Sequence, residues 1–275
     1  MKISMMKKLL CAAVSGMMLM GVGCAGETAS NTSGEDNSLK NVQDAGKLVL
    51  GLDATFKPMG FTDENDQIVG FDIDVAEEVC SRMGVELELY SVNWDTKEQD
   101  LNAGTIDCIW NGLSVSEERK QMMLMSEPYM NNEMVFVVNG KSDITALSDL
   151  SDAKIGVQNG STALEILNGS EVVANGAVPV ELATNVEALQ QLELDMVDAV
   201  FLDSVVANYE IVSTGKDYKV LEEGLSSEEY AIGFRLGDQA LCDEVTKTLK
   251  EMVADGKLAE ISTEWFGSDV TTIGK

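Results

Sequence analysis

From residue 47 to the C-terminus, short apolar runs alternate with helical apolar periods, and this alternation constrains the fold more than any other feature of the chain. Leu48-Val49-Leu50-Gly51-Leu52 has the length and composition of a buried strand. Phe71, Val75, Val79 and Met83, with Ala76 and Cys80, fall on one face of a helix that stops at Gly84. Val85 to Val92 alternates as a strand does. A helix is expected from about Asp95 to Ala103, and a strand from Ile106 to Trp110. Further strands are expected at Met134 to Val138, Ile155 to Val157, Ala199 to Leu202 and Ala231 to Phe234. Helices are expected near Thr162 to Leu167, Val186 to Leu194, Gln239 to Ala254 and Lys257 to Phe266. Strands alternating with helices point to α/β layers with mostly parallel sheets.

One unit recurs. Leu101-x4-Ile106-Asp107-x-Ile109-x-Asn111-Gly112 matches Leu192-x4-Val197-Asp198-x-Val200-x-Leu202-Asp203 at an offset of 91 residues. Each copy is a helix end, a tight turn and a buried strand. Two lobes of related design follow, each with its own sheet. Ligands of open α/β sheets sit beyond the carboxyl ends of strands. Those ends are Asn111-Gly112 in one copy and Leu202-Asp203 in the other, so a cleft between the lobes is expected.

Composition narrows the chemistry. The 275 residues allow one large domain or two small ones. A net charge of −28 disfavours nucleic acid and anionic lipid as partners. The chain has no His, which excludes Ser-His-Asp and Cys-His catalytic pairs and His-ligated metals. No metal and no cofactor are expected.

The N-terminus has the make-up of an export signal over residues 1–23. Lys2, Lys7 and Lys8 precede an uncharged apolar run from Leu9 to Gly23, which is short for a membrane span of ~20 residues. The ending Gly21-Val22-Gly23-Cys24 resembles a bacterial lipobox, which implies that Cys24 is lipidated. Gly21 departs from the usual Leu of that motif. Cleavage before Cys24 removes three lysines and no acid, taking the net charge from −28 to −31. The polar stretch that follows is expected to be a flexible tether over residues 24–44. Cys80, Cys108 and Cys242 sit among apolar neighbours and are expected to be buried free thiols.

Eight segments together resemble one family. They are Gly51 to Phe61, Ile68 to Ala76, Asn93-Trp94-Asp95, Asp107 to Arg119, Ser126-Glu127-Pro128-Tyr129, Gly156 to Thr162, Val197 to Asp203 and Trp265-Phe266-Gly267. In this order they are similar to the extracytoplasmic amino-acid-binding proteins of ABC importers, the bacterial solute-binding family 3. The resemblance covers about residues 46–268. It implies an α/β, two-lobed periplasmic-binding-protein-like fold of type II, each lobe a mostly parallel sheet flanked by helices, joined by a two-strand hinge. Lobe 1 would be discontinuous, residues 45–131 plus 231–275, and lobe 2 would span 132–230.

A free α-amino acid presents a carboxylate and an ammonium a few ångströms apart. Arg119 suits the carboxylate because its planar fork matches one. Asp203, at a strand end in the other lobe, suits the ammonium. The resemblance gives them these roles. Ser114 and Gly112 would add a hydroxyl and a carbonyl, while Ser161 and Thr162, after Gly160, would present a helix start to the anion. Phe56 and Trp94 would wall the side-chain pocket by resemblance. Asp53 and Asn111 would meet the side chain, and a carboxylate at Asp53 favours a polar, cationic or cystine-like ligand.

The implied function is amino-acid capture and delivery to the transmembrane subunits of an ABC permease. The protein would be a monomer held outside the cytoplasm by its lipid, at the cell membrane or in a periplasm. Arg119 could instead be a surface helix charge, and Asp203 a helix N-cap. The alternative from another class is an enzyme of the same fold, a cyclohexadienyl or arogenate dehydratase, with Asp53, Asp72, Asp74 or Glu127 as its acid or base. Nothing in the sequence places two carboxylates as an acid–base pair.

Overall fold

A computed structural model describes residues 35–275. The export signal, Cys11, Cys24 and most of the expected tether lie outside the described residues.

Two groups of parallel strands form the ends of the main sheet. In the first block, strand Lys47–Leu52 runs between strands Glu86–Ser91 and Cys108–Ser114, parallel to both. In the second, strand Lys154–Gln158 runs between strands Val178–Leu182 and Ala199–Asp203, again parallel to both. Two long strands join the blocks. Met130–Asn139 and Ser226–Phe234 pair antiparallel from Met130↔Tyr230 to Met134↔Ser226. Past that stretch each continues along one block, Ser226–Phe234 on Cys108–Ser114 and Met130–Asn139 on Ala199–Asp203. The recurring unit therefore has a structural meaning. Both of its strands lie between a parallel neighbour and an antiparallel crossing strand. Parallel pairing holds within the blocks, and the crossing strands add the antiparallel pairing.

The periodic segments fold as their patterns dictate. All seven residues of Cys108–Ser114 are buried, as expected of a strand covered on both faces. Helix Phe71–Met83 ends at Gly84, whose φ of 72° is left-handed. Helix Gln239–Asp255 buries Leu241, Val245, Leu249 and Met252 on one side, and helix Lys257–Phe266 follows directly. The expected helix at 95–103 starts instead as a 3₁₀ turn, Trp94–Thr96, because Asn93 Oδ1 accepts from the Asp95 N–H at 3.0 Å. The α-helix proper is Lys97–Ala103. A small antiparallel sheet of Thr55–Phe56, Gly60–Thr62 and Ile68–Val69 was not legible in the sequence.

The end of the expected tether is helical. Ser38–Ala45 is a helix with Val42 buried, and it packs on helix Gln239–Asp255. The reason is an exchange of caps. Asp238, at the N-cap of Gln239–Asp255, makes no side-chain cap bond. Asp36 Oδ2 accepts from the Ala240 N–H at 2.6 Å and Ser38 Oγ from the Leu241 N–H at 3.1 Å. Two of the donors that a helix start leaves open are thus satisfied from another segment.

Cys80, Cys108 and Cys242 are free and buried. Burial pushes the Cys80 thiol up to about 12 and the Cys242 thiol up to about 11, so both stay protonated. Among the described residues, no helix is long and apolar enough to cross a membrane.

Candidate functional site

The two strand ends singled out by the repeat both adjoin Tyr230: a Cβ on Gly112 would lie 3.2 Å from its ring, and its hydroxyl donates to Asp203. Arg119 lies in the short helix Glu117–Met122, just after strand Cys108–Ser114. Its N–H is capped by Ser116 Oγ at 3.2 Å. The side chain is 5% exposed, so the surface-charge reading of Glu-Glu-Arg-Lys does not hold. Nη1 donates to the Ser114 carbonyl at 2.8 Å, and Nη2 reaches the Gly160 carbonyl of the second block at 3.4 Å. Among the described residues, no carboxylate comes within 4.0 Å of its guanidinium nitrogens. Burial pulls its pKa down, and Glu98, Glu228, Asp203 and Glu165 counter this from longer range. A buried cation that lacks an ion-pair partner is poised for an anion.

Asp203 ends strand Ala199–Asp203 and precedes helix Ser204–Thr214. It makes no side-chain cap bond to that helix, so capping is not its role. Its Oδ1 accepts from Tyr230 Oη at 2.6 Å and from Asn132 Nδ2 at 2.8 Å. Both donors come from the crossing strands. Burial pushes the Asp203 carboxyl up to about 7, against the Tyr230 bond, with Glu228 adding to the rise and Arg119 opposing it.

Ser114 and Thr162 are buried. Glu228, paired in register with Asn132, has Ser114, Thr162 and Asn132 around its carboxylate. Ser161 caps helix Thr162–Asn168: its Oγ accepts from the Leu164 N–H at 3.2 Å and donates to the Gln158 carbonyl at 2.6 Å. Arg119, Gly160, Ser161 and Thr162 line one cavity of about 380 Å³ where the blocks meet.

The other candidates form a second cluster. Asn111 Oδ1 accepts from the Asp53 N–H at 3.0 Å, while its buried Nδ2 has no partner. Gly112 adopts φ 56° and its N–H donates to Asp72 Oδ2 at 2.7 Å. A Cβ there would sit 2.8 Å from Phe56 Cε1, so the absent side chain lets Phe56 pack against the strand. Asp53 Oδ1 accepts from the Thr55 N–H at 2.9 Å and Thr55 Oγ1 at 2.7 Å, and Oδ2 accepts from Gln158 Nε2 at 2.7 Å. Gln158 belongs to the second block, so this carboxylate ties the blocks together. Trp94 is buried under the Lys97 ammonium, which stands 4.8 Å from its ring centroid.

Sequence reasoning missed Lys97, Asn132, Gln158, Glu228 and Tyr230, and weighed Asp72 only as an acid or base of the enzymatic alternative. One signal was available. Lys97 and Leu101 are the two buried residues of helix Lys97–Ala103 and are four apart, so Lys97 holds an inward position. Asp72, weighed above as an acid or base, is fully buried and accepts from Gly112 and from Tyr129 Oη at 3.0 Å.

Burial pushes the Asp72 carboxyl up to about 7, against the Tyr129 and Gly112 bonds. Its folded pKa is thus above the ordinary value of 3.8. From about pH 4 to 7 the folded chain holds a proton there that the unfolded chain releases, so this group's contribution to stability falls as pH rises. Asp72→Asn removes that dependence. The stability difference, variant minus wild type, is expected to rise by on the order of 2 kcal/mol between pH 5 and pH 8. Urea unfolding at both pH values checks it; a constant difference would refute the buried-proton account.

The model of the bacterial extracellular solute-binding proteins, family 3, matches residues 48–268. The L-cystine-binding protein TcyA of Bacillus subtilis (strain 168) is 30% identical over 275 residues, covering 97% of this chain and 100% of its own. Among solved structures, Tv2483 bound to L-arginine superposes with a TM-score of 0.84 at 31% identity, covering 88% of this chain and 99% of that one. An ABC uptake transporter substrate binding protein from Streptococcus pneumoniae with bound histidine superposes with a TM-score of 0.82 at 36% identity, covering 86% and 99%. With the family matched over residues 48–268 and a relative 30% identical along its whole length, the chain belongs to the bacterial extracellular solute-binding proteins, family 3.

Proposed function

We propose that this protein captures one free amino acid between its two lobes and hands it unchanged to an ABC permease. The observation that carries the reading is the buried Arg119 guanidinium, which has no ion-pair partner among the described residues and faces a second block that carries a buried Asp203. Arg119, with Ser114 and Thr162, takes the ligand carboxylate. Asp203 takes the ammonium, held in place by Asn132 and Tyr230. Gly112 offers its carbonyl, and Ser161 fixes the loop that carries Thr162. Phe56, Trp94, Asn111 and Asp53 bound the side-chain end.

Lobe 1 comprises residues 45–131 and 231–275, with helix Ser38–Ala45 docked on it, and lobe 2 comprises 132–230. In support, the chain passes between the two parallel blocks along Met130–Asn139 and Ser226–Phe234. Only a ligand touched by both lobes favours their contact, so binding and closure are one equilibrium. Residues 1–23 act as the export signal, Cys24 carries the lipid, and a monomer works at the outer face of the membrane.

The relatives described above bind cystine, arginine and histidine, and none is described as an enzyme. Isothermal titration of the purified protein with the twenty amino acids and L-cystine tests the reading. At least one is expected to bind near the micromolar range, about 8 kcal/mol. Turnover of prephenate or arogenate without retention of any amino acid would replace this reading with the enzymatic one.

A further inference from the structure

The Lys97 side chain is almost wholly buried and sits where the two blocks meet. Its Nζ donates to the Trp94 carbonyl at 2.9 Å and to the Gly160 carbonyl at 2.9 Å, and pairs with Glu98 at 2.9 Å. Gly160 belongs to the second block, so the ammonium lies between that block and Trp94. It covers the Trp94 ring from 4.8 Å. One face of the ring is therefore already stacked with a cation.

A cationic ligand side chain needs two things in such a pocket, an open aromatic face and a carboxylate with free lone pairs. One aromatic face of Trp94 is taken by Lys97. The carboxylate at Asp53 is largely engaged as well, since Oδ1 accepts both Thr55 donors and Oδ2 accepts Gln158 Nε2, which leaves one lone pair, on Oδ2. Arg119 adds a second positive charge at the same Gly160 carbonyl. Glu98 offsets Lys97 in charge but does not uncover the ring.

We infer that Lys97 is a specificity-determining residue that selects against arginine- and lysine-like side chains, so that the ligand is an amino acid whose side chain is neutral. Such a side chain adds no charge beside the Lys97 ammonium, whose three N–H donors are already used on Trp94, Gly160 and Glu98. The inference rests on the capture reading above and narrows its substrate class. It also sets this chain apart from its arginine-bound structural relative.

The experiment is titration calorimetry at pH 7 with L-arginine, L-lysine, L-glutamine and L-cystine, on wild-type protein and on the Lys97→Met and Lys97→Gln variants. Wild type is expected to bind the better of glutamine and cystine at least about tenfold more tightly than arginine or lysine, since like-charge juxtaposition is costly. In the variants the ratio of neutral to cationic affinity is expected to shift toward arginine by at least about tenfold. The ratio is the proper readout, because any loss of lobe contact on removing the Gly160 bond weakens all ligands alike. Lys97→Gln keeps a donor for Gly160, which guards against misfolding of the methionine variant. Wild-type protein that prefers arginine or lysine would overturn the inference and leave amino-acid capture standing. A ratio unmoved in both variants would overturn it equally. If none of the twenty amino acids nor cystine binds wild type, capture itself fails and this inference with it.

Discussion

Arg119→Ala is expected to weaken amino-acid binding by on the order of 100- to 1000-fold, the cost of removing one partner of a buried hydrogen-bonded charge pair. The expectation comes from what surrounds the guanidinium. Two of its donors are used on the Ser114 and Gly160 carbonyls. Neither partner is charged, so the positive charge is solvated by dipoles and by carboxylates at longer range. A ligand carboxylate would be its first close counter-ion. Arg119→Lys keeps the charge but not the fork, and should lose about tenfold or more. Folding stability should move little, because the deleted charge was itself costly to bury. Its loss offsets the hydrogen bonds that go with it. Calorimetry with the best ligand and a melting curve for each variant decide the matter. Binding within threefold of wild type in Arg119→Ala would remove Arg119 from the site.

How much of this was legible depends on how far apart the interacting residues lie in the chain. Strand Lys47–Leu52 and helix Phe71–Met83 carry their own pattern, and the sequence places both within a residue or two. Helix Ser38–Ala45 does not, because it offers only Leu39 and Val42 as an apolar stripe and is fixed by caps on a helix about 200 residues away. The crossing strands were read too short. Met130–Asn139 and Ser226–Phe234 begin with exposed Asn131, Glu133, Ser227 and Glu229, where the sheet is open to solvent between the blocks.

The site divides along the same line. Arg119 and Asp203 were singled out by their chemistry and the resemblance, and the repeat put only Asp203 at a strand end; both prove to be buried, Arg119 in the helix that follows its strand. The buried contacts of Asp72, Lys97 and Gln158 were not legible, since their partners lie 40, 63 and 105 residues away in sequence. Asp53 was seen but its environment was not. The Gln158 amide that occupies Oδ2 comes from the other block, and no local pattern announces it.

Gly160→Ala is expected to weaken ligand binding by about 10- to 100-fold, because closure itself would be obstructed. Gly160 has φ 62°, and a Cβ on it would lie 2.7 Å from Asp95 Cα and 3.1 Å from the Trp94 carbonyl oxygen. Both obstacles are backbone and cannot rotate away. The lobes would have to stand off by about an ångström to restore ordinary contact distances. That shift stretches the Lys97 bond to the Gly160 carbonyl and breaks the longer Arg119 bond, both of which exist only while the lobes touch. In the proposed capture, association begins on separated lobes, so the loss should appear as faster release, with the association rate kept within a few-fold. Gly104 supplies the control. It too is left-handed, at φ 75°, yet a Cβ there meets nothing within 4 Å. Gly104→Ala should therefore cost about 1 kcal/mol of stability from backbone strain and leave affinity unchanged. Stopped-flow release rates and melting curves for the two variants separate closure from strain. Equal effects of the two substitutions on release would mean that contact between Gly160 and residues 94–95 plays no part in holding the ligand.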